Sequence, residues 1–300
     1  PVAGHPPARA DLRPVSSLRT VTLIGANGDR LVLACSTEPH QLGLGGQMWG
    51  TAPYAIRSRR VATIPGERVD SVQALPRTFA LPLQVEGDSE QEIDERLGRL
   101  GAILSPSDQV RVIYRRPDGT EREILAYYAG GADALSATAE AGYHQRAVSV
   151  PLVLRAHWPY WRAAGTPLLT YGPELFDDGR SAGSNLVTIT NGGDVATWPE
   201  IIITGYAEGI DVANLTTGEV WRIREILEEG DVLRIDTDPT TFGVYLNDVN
   251  FYGASDPISE WWQQGLVPGV NVLLLRGNTA TGTEAIGTFT LRWRENFETP

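Results

Sequence analysis

Apolar and polar residues alternate in short runs along most of the chain, and turn-forming residues separate these runs. Alternation with a period of two is typical of half-buried β-strands. In the N-terminal half, apolar runs at residues 21–24 and 31–33 flank an Asn27-Gly28 turn, which predicts a β-hairpin. Residues 109–114 and 121–127 predict a second hairpin, since an Arg-Pro-Asp-Gly turn at residues 116–119 joins them.

One segment of the N-terminal half has helical periodicity instead. Ser89 and Glu92 have the spacing of a capping box, and Pro106 ends the pattern. These signals predict a single helix over residues 89–104, and a further strand is predicted over residues 147–154. The apolar stripe of the helix consists of Ile93, Leu97, Leu100 and Leu104.

The C-terminal half begins with a loop-like segment over residues 166–183 and then continues as short strands. No stretch in this half keeps helical periodicity for three turns. Closely spaced strands without helices predict an antiparallel sandwich or jelly roll. The predicted strands are residues 186–190, 200–204, 212–215, 219–223, 232–235, 270–275 and 288–293.

The composition supports a mainly β chain of two domains, and the charge distribution argues against nucleic-acid binding. The 32 glycines and 20 prolines are scattered, as expected of many turns. The net charge of −12 is uneven: residues 1–165 carry 18 Arg against 17 acidic residues, residues 166–300 carry 7 against 20, and no lysine occurs. Without a basic surplus, sequence-independent nucleic-acid binding is not expected. No run of about 18 apolar residues and no secretory signal are found, so we expect no membrane insertion.

Candidate chemistry is sparse in the sequence. The lone Cys35 lies in an apolar run and is interpreted as a buried structural thiol. The glycine-rich residues 41–47 match no phosphate-binding fingerprint and are predicted to form a flexible loop. The four histidines are dispersed without metal-ligand spacing, and no serine lies in a recognisable nucleophile context. We therefore expect no catalytic residues, no cofactor and no metal.

Two residue classes leave alternatives open. Acidic pairs could serve a glycosidase, which needs two carboxylates, but all of them fall in predicted turns, where solvated carboxylates are the favoured interpretation. These pairs are Asp177-Asp178, Glu228-Glu229 and Asp236 with Asp238. Tryptophans of the C-terminal half could stack on sugars, or fill a core or a subunit contact. The candidate sugar or partner contacts are Trp221, Trp261 and Trp262, and Trp293 belongs to the same class.

The turns of the C-terminal half resemble, in order, those of one protein family. Residues 191–194, Asn-Gly-Gly-Asp, followed by residues 198–205, Trp-Pro-Glu-Ile-Ile-Ile-Thr-Gly, are similar to the opening of the C-terminal domain in siphophage distal tail proteins. Residues 214–218, 230–236 and 266–271 then follow in the order that this family uses. The N-terminal half resembles the belt domain of the family at residues 27–28, 75–77, 89–106, 116–119 and 151–161.

The resemblance implies a mainly β, β-rich α+β protein with two domains. Residues 1–165 would be a ring-forming belt domain of strands with one helix, and residues 166–300 a galectin-like antiparallel β-sandwich. The implied function is structural and non-enzymatic: a homo-oligomeric ring, a hexamer in this family, which joins the tail tube to the tail tip or baseplate. The implied place is the virion, after synthesis and assembly in the bacterial cytoplasm.

The resemblance also implies the partners. They are copies of the chain itself, the tail tube protein, and the tail-tip hub, tail-associated and receptor-binding proteins, while DNA passes through the channel without specific binding. Two other hypotheses remain: a carbohydrate-binding adhesion module that recognises the host cell surface, and a cell-wall hydrolase. An extra basic cluster at residues 57–60 is either a contact with an acidic partner surface or a solvated loop.

Overall fold

The structure, a computed structural model, divides the chain into two compact units. Residues 1–159 with 299–300 form the N-terminal unit, and residues 160–298 form the C-terminal unit. The boundary inferred from sequence, between residues 165 and 166, stays a prediction. The described residues are 19–34, 40–42, 50–60, 62, 65–131, 147–165, 167–171, 186–251, 253, 265–278 and 288–300.

Nine strands and one helix are found in the described part of the N-terminal unit. They are β1 (Thr20–Ile24), β2 (Arg30–Ala34), β3 (His40–Leu42), β4 (Tyr54–Arg60), β5 (Glu67–Ala74), β6 (Arg77–Glu86), α1 (Glu90–Ile103), β7 (Val110–Arg115), β8 (Glu121–Gly130) and β9 (Ala147–Ala156).

Seven of these strands close on themselves into a barrel. They pair in the order β8-β7-β1-β2-β3-β6-β9, and β9 pairs back to β8. The β2–β3 pair is parallel and the other pairs are antiparallel. Alternate residues point inward, so that Phe79, Leu81 and Leu83 of β6 are at most 1% exposed. The barrel is the core of the N-terminal unit.

Both hairpins predicted in this half are confirmed. Strands β1 and β2 pair on either side of the Asn27-Gly28 turn, where Gly28 takes a φ of 85°. Strands β7 and β8 pair around the turn that contains Gly119, with a φ of 87°. A positive φ costs glycine little because it has no Cβ, which is why these two positions are glycine.

The predicted helix is confirmed as α1. The Ser89 hydroxyl accepts a hydrogen bond from the Glu92 backbone N–H at 3.2 Å, as an N-cap does. The Glu92 carboxylate accepts from the Asp88 N–H, one residue before the position that a capping box uses. Ile93, Leu100 and Leu104 of the predicted stripe are buried, whereas Leu97 is half-buried.

The C-terminal unit contains twelve strands in its described part. They are β10 (Trp161–Ala163), β11 (Leu168–Tyr171), β12 (Leu186–Asn191), β13 (Glu200–Thr204), β14 (Glu208–Asn214), β15 (Glu219–Ile223), β16 (Val232–Asp236), β17 (Gly243–Leu246), β18 (Val249–Asn250), β19 (Gly269–Asn278), β20 (Thr288–Arg292) and β21 (Asn296–Phe297).

Two antiparallel sheets form the predicted sandwich. One has the order β11-β20-β13-β16-β17-β18 and the other the order β12-β19-β14-β15. Their inward residues make one apolar core, in which Ile201, Leu233 and Phe289 are fully buried. Strands β10 and β21 of this unit also pair with each other. The mainly β fold class is therefore confirmed.

Parts of the sequence prediction need correction. The segment predicted as a loop, residues 166–183, contains strand β11, which pairs with β20. Strands β17 and β18 were not predicted at all. The predicted loop at residues 41–47 begins with the last two residues of β3, and its residues 43–47 lie outside the described part of the chain, as Cys35 does.

Candidate functional site

A two-stranded hairpin, here called the arm, stands outside the barrel. It consists of β4 and β5, which pair with each other and with no further strand among the described residues. The backbone N–H of Leu75 donates to the Pro53 carbonyl at 2.7 Å and closes the base of the arm. An isolated two-stranded hairpin is at best marginally stable in water.

The arm has one apolar face that is open to solvent. Tyr54 and Ile56 point to this face from β4, and Ile56 lies directly opposite Val72. A bulge at Asp70 places Val69 on the same face, although Val69 and Val72 are three residues apart. Their exposed fractions are 43% for Tyr54, 63% for Ile56, 55% for Val69 and 58% for Val72.

The opposite face of the arm is basic. Arg57 and Arg59 alternate with the apolar residues of β4, and Arg68 lies opposite Arg59 on β5. Arg59 forms an exposed ion pair with Asp70 at 3.3 Å. The basic cluster at residues 57–60 therefore lies on a strand, and the interpretation as a solvated loop is wrong for its secondary structure. The arm is an amphipathic sheet with two accessible faces.

In the C-terminal unit, three buried asparagines hold a single segment of backbone. The side-chain N–H groups of Asn214, Asn191 and Asn271 donate to the carbonyls of three consecutive residues, 265, 266 and 267, at 2.9, 2.9 and 2.8 Å. All three asparagines are at most 1% exposed. We call this arrangement the asparagine clasp.

The clasp also explains the Asn-Gly-Gly-Asp turn. The Asn191 side-chain oxygen accepts from the Gly193 N–H at 3.0 Å. A Cβ at Gly193 would lie 2.3 Å from the carbonyl oxygen of Asn296, so that no larger residue fits there. The residues that carry the family resemblance in this turn therefore stabilise the sandwich and do not form a reactive site.

Two aspartates stabilise turns in a similar way. Hydrogen bonds from the Asn247 side chain and the Glu228 backbone N–H lower the pKa of Asp231. The Thr120 hydroxyl and backbone N–H lower the pKa of Asp118 in the β7–β8 turn. In both cases the hydrogen bonds favour the ionised carboxylate, which is the form that holds the turn.

The candidate contact residues are placed as follows. Trp221 lies in the sandwich core, 1% exposed, with its ring centroid 5.6 Å from that of Phe242. Trp261 and Trp262 lie outside the described residues. Trp293 is 9% exposed. A sugar or partner contact through Trp221, Trp261 or Trp262 stays a prediction.

The acidic pairs are also spread over different surroundings. Glu228 and Asp238 lie in turns, whereas Asp236 is the last residue of β16. Asp177 and Asp178 lie outside the described residues. Within the described ranges, no group of three or more His, Cys, Asp and Glu side chains could hold a metal ion.

No helix in the described part of the chain could cross a membrane. Its one helix, α1, has 14 residues and is too short and too polar to span a bilayer.

A family model matches part of the C-terminal unit, and solved structures match most of the chain. Residues 192–297 match the family model described as the siphovirus-type tail component, C-terminal domain. The Dit protein (gp 19.1) of phage SPP1 has the same fold, with a TM-score of 0.62 and 15% identity, over 92% of this chain and 99% of that chain. A chain of the phage P2 baseplate gives a TM-score of 0.47 and 10% identity, over 91% and 97% of the two chains. Comparison with curated protein sequences gives no match.

The family match begins at Gly192, in the turn that the asparagine clasp organises, and extends to Phe297 of β21. The match thus covers eight of the ten described strands of the sandwich, β13 to β20, and the fold of the chain is shared with the SPP1 protein. Residues 192–297 are therefore similar to the siphovirus-type tail component C-terminal domain, and the resemblance of the chain to the siphophage distal tail proteins is confirmed.

Proposed function

We propose that this phage tail structural protein is a distal tail protein whose copies close into a ring, a hexamer, between the tail tube and the tail tip. The ring would leave a channel through which DNA passes without specific binding. The observation that carries the proposal is the arm, which exposes a row of four apolar side chains on one face of a sheet that has two strands.

The arm supports contacts between copies for an energetic reason. Burial of apolar area contributes roughly 25 cal/mol per Å². The isolated hairpin lacks buried apolar area. A neighbouring subunit would supply it by covering the exposed apolar residues, which are Tyr54, Ile56, Val69 and Val72. We propose that the covering surface is a different part of the chain, which makes the contact heterologous. Such contacts close into a ring when the rotation per subunit divides the circle.

Charge placement supports the same arrangement. The arm carries four arginines, Arg57, Arg59, Arg60 and Arg68, against two acidic residues, Glu67 and Asp70, and so has a small positive surplus in a unit that is otherwise near neutral. A channel for DNA should not bind the phosphate backbone. We therefore place these arginines at contacts between subunits and acidic or neutral residues at the channel.

The C-terminal sandwich would face outward and carry the tip components. Its four-stranded sheet exposes Leu186 and Val270 on the surface that points away from the core, at 49% and 59%. We propose the tail-tip hub, tail-associated and receptor-binding proteins as partners of this unit, and the tail tube protein as a partner of the ring. The structure of the SPP1 protein is described as a paradigm of a hub adsorption apparatus in phages that infect Gram-positive bacteria. We infer a place at the virion tail tip, after assembly in the bacterial cytoplasm.

The experiment measures the mass of the purified full-length chain by light scattering, with negative-stain images of the same sample. We expect rings. The double variant Ile56→Ser with Val72→Ser removes a directly opposed apolar pair that is more than half exposed. It should therefore fold normally but yield monomers, or need a concentration at least about tenfold higher to assemble.

A matched control lies one position along the same strands. Ala55 faces Gln73 on the other side of the arm, and the variant Ala55→Ser with Gln73→Ser should assemble as the wild type does. A wild-type chain that stays monomeric at every concentration contradicts the ring. Equal assembly of both double variants contradicts the role of the apolar face.

The absence of enzymatic activity belongs to the same proposal. The matched family is described as a tail component, which is a structural class. Zymography on host cell-wall material should show no clearing by the purified chain, and clearing would favour the hydrolase hypothesis.

A further inference from the structure

A polar cavity of about 610 Å³ lies in the C-terminal unit, at one edge of the six-stranded sheet. Strand β13 begins at this edge with Glu200, and the two strands paired with it end there, β16 with Asp236 and β20 with Arg292. The volume falls within the ~300–1,000 Å³ that small-molecule sites usually have. The arm lies elsewhere in the chain, so that the cavity is a feature that the proposed contact between subunits does not use.

The charges that line the cavity balance one another. Three arginines and three carboxylates contribute to its wall. Arg162 contacts Asp238 at 2.7 Å, and a second pair joins Arg292 to Glu200 at 3.5 Å. Because the wall is neutral as a whole, a ligand with net charge gains no overall attraction from it. The wall therefore favours a neutral ligand.

The same wall offers many hydrogen-bonding groups at fixed positions. Carboxylate oxygens accept, guanidinium N–H groups donate, and a hydroxyl group can do both. The ion pair of Arg162 with Asp238 holds a donor and an acceptor side by side, with side chains 25% and 19% exposed. A pair of neighbouring hydroxyls on one ligand matches this arrangement, since one hydroxyl can donate to the carboxylate while the other accepts from the guanidinium.

Aromatic rings complete the cavity. Trp198 is half-buried and Trp293 is 9% exposed, and both contribute to the lining. Indole rings provide large flat apolar surfaces that suit ligands with one apolar face and a polar rim. A pyranose ring has such a shape, because its C–H groups form an apolar face and its hydroxyls surround it.

We propose that this cavity binds a neutral saccharide, with a hexose or N-acetylhexosamine unit against Trp198 and its hydroxyls on Asp238 and Arg162. The proposal does not depend on ring formation. It also differs from a contact through Trp221, Trp261 or Trp262, because Trp198 is the aromatic residue that it uses.

The test uses the full-length chain and ligand-observed NMR, with intrinsic tryptophan fluorescence as a second readout. The probes are D-glucose, D-galactose and N-acetyl-D-glucosamine, their β-linked trisaccharides, and sn-glycerol 3-phosphate as a charged comparator. We expect at least one neutral probe to bind with a Kd on the order of 1 mM. Trp198→Ala and Asp238→Asn should each weaken that binding by about tenfold.

Asp211→Asn is the matched control. Asp211 also pairs with an arginine of the C-terminal unit, Arg222 at 3.3 Å, but it lies outside the cavity. Its substitution should leave the Kd unchanged. If Trp198→Ala lowers the melting temperature, Trp198→Phe and Arg292→Gln provide the comparison in a folded chain.

Three outcomes would overturn the proposal. They are no binding of any neutral probe by the folded chain, binding that both cavity variants leave unchanged, and binding of glycerol phosphate in preference to the sugars. Ring formation is measured separately, so its failure is distinguishable from each of these results.

Discussion

The asparagine clasp shows how single residues can carry both a family resemblance and a structural role. Asn191 and Asn214 lie 75 and 51 residues away in sequence from the carbonyls that they bind. Sequence patterns placed both in predicted turns, at residues 191–194 and 214–218. These patterns could not show that the side chains converge on one segment, because that depends on how distant strands pair.

Loss of one member of the clasp should destabilise the C-terminal unit. The Asn271 side chain accepts from the Val267 N–H and donates to the carbonyls of Val267 and Gly269. Asn271→Ala leaves these buried groups unsatisfied, each at a cost of about 1–3 kcal/mol, so we expect a loss of at least about 2 kcal/mol. Calorimetry of the full-length chain measures this loss.

An exposed asparagine provides the comparison for that variant. Asn27 accepts a hydrogen bond from the Asp29 N–H in the solvent-exposed turn between β1 and β2. Asn27→Ala should cost about 1 kcal/mol or less, since water can replace the lost partner. Equal losses of stability in the two variants would mean that burial does not make the hydrogen bonds of the clasp more costly to lose.

Secondary structure could be predicted where the local signal was complete. The helix carried its own N-cap and apolar stripe, and strands such as Glu200–Thr204 alternate cleanly between the core and solvent. The arm was missed because a bulge interrupts its alternation and because its apolar residues face solvent within one chain. A periodic pattern of apolar residues indicates a face that is buried within the chain. It does not identify an apolar face that no part of the same chain covers.

Gly131, directly after β8, allows a close approach of the backbone to strand β9. Gly131 has a φ of 100°, and a Cβ there would lie 1.6 Å from the Pro151 carbonyl oxygen. Gly131→Ala therefore requires the backbone to move, and we expect a loss of at least about 3 kcal/mol or insoluble protein. Soluble yield and urea unfolding measure the effect.

Gly98 in α1 provides a control, because its replacement by alanine should stabilise the chain. Gly98 lies on the exposed side of α1, and an added Cβ meets nothing within 4 Å. Gly98→Ala should stabilise the chain by about 0.5–1 kcal/mol. If Gly98→Ala destabilises the chain and Gly131→Ala is tolerated, the open space at Gly98 and the close approach at Gly131 are both contradicted.

At the scale of the molecule, the two-part organisation followed from composition and from the family resemblance. The excess of acidic residues after position 165 and the change from one helix to none both indicated a second domain. The cavity of the C-terminal unit could not be predicted. Its lining residues come from strands and turns far apart in sequence, and no local pattern brings them together.

Fragments test where the C-terminal unit begins. Residues 160–298 include β10, which pairs with β21, and the ion pair between Arg162 and Asp238. We expect this fragment to unfold cooperatively, whereas residues 166–298, which lack both contacts, should melt several degrees lower. Thermal unfolding monitored by circular dichroism compares the two. Identical melting temperatures would favour the boundary at residue 165.

The closed barrel bears on how the chain avoids uncontrolled self-association. A strand at the margin of a sheet offers unpaired backbone groups on which foreign chains can nucleate cross-β aggregates. Because the seven barrel strands pair in a closed circle, few strand margins of the N-terminal unit stay open, and among its described residues the arm has two of them. We expect the arginines along the arm to act as gatekeepers, since their mutual repulsion would discourage stacking of identical arms.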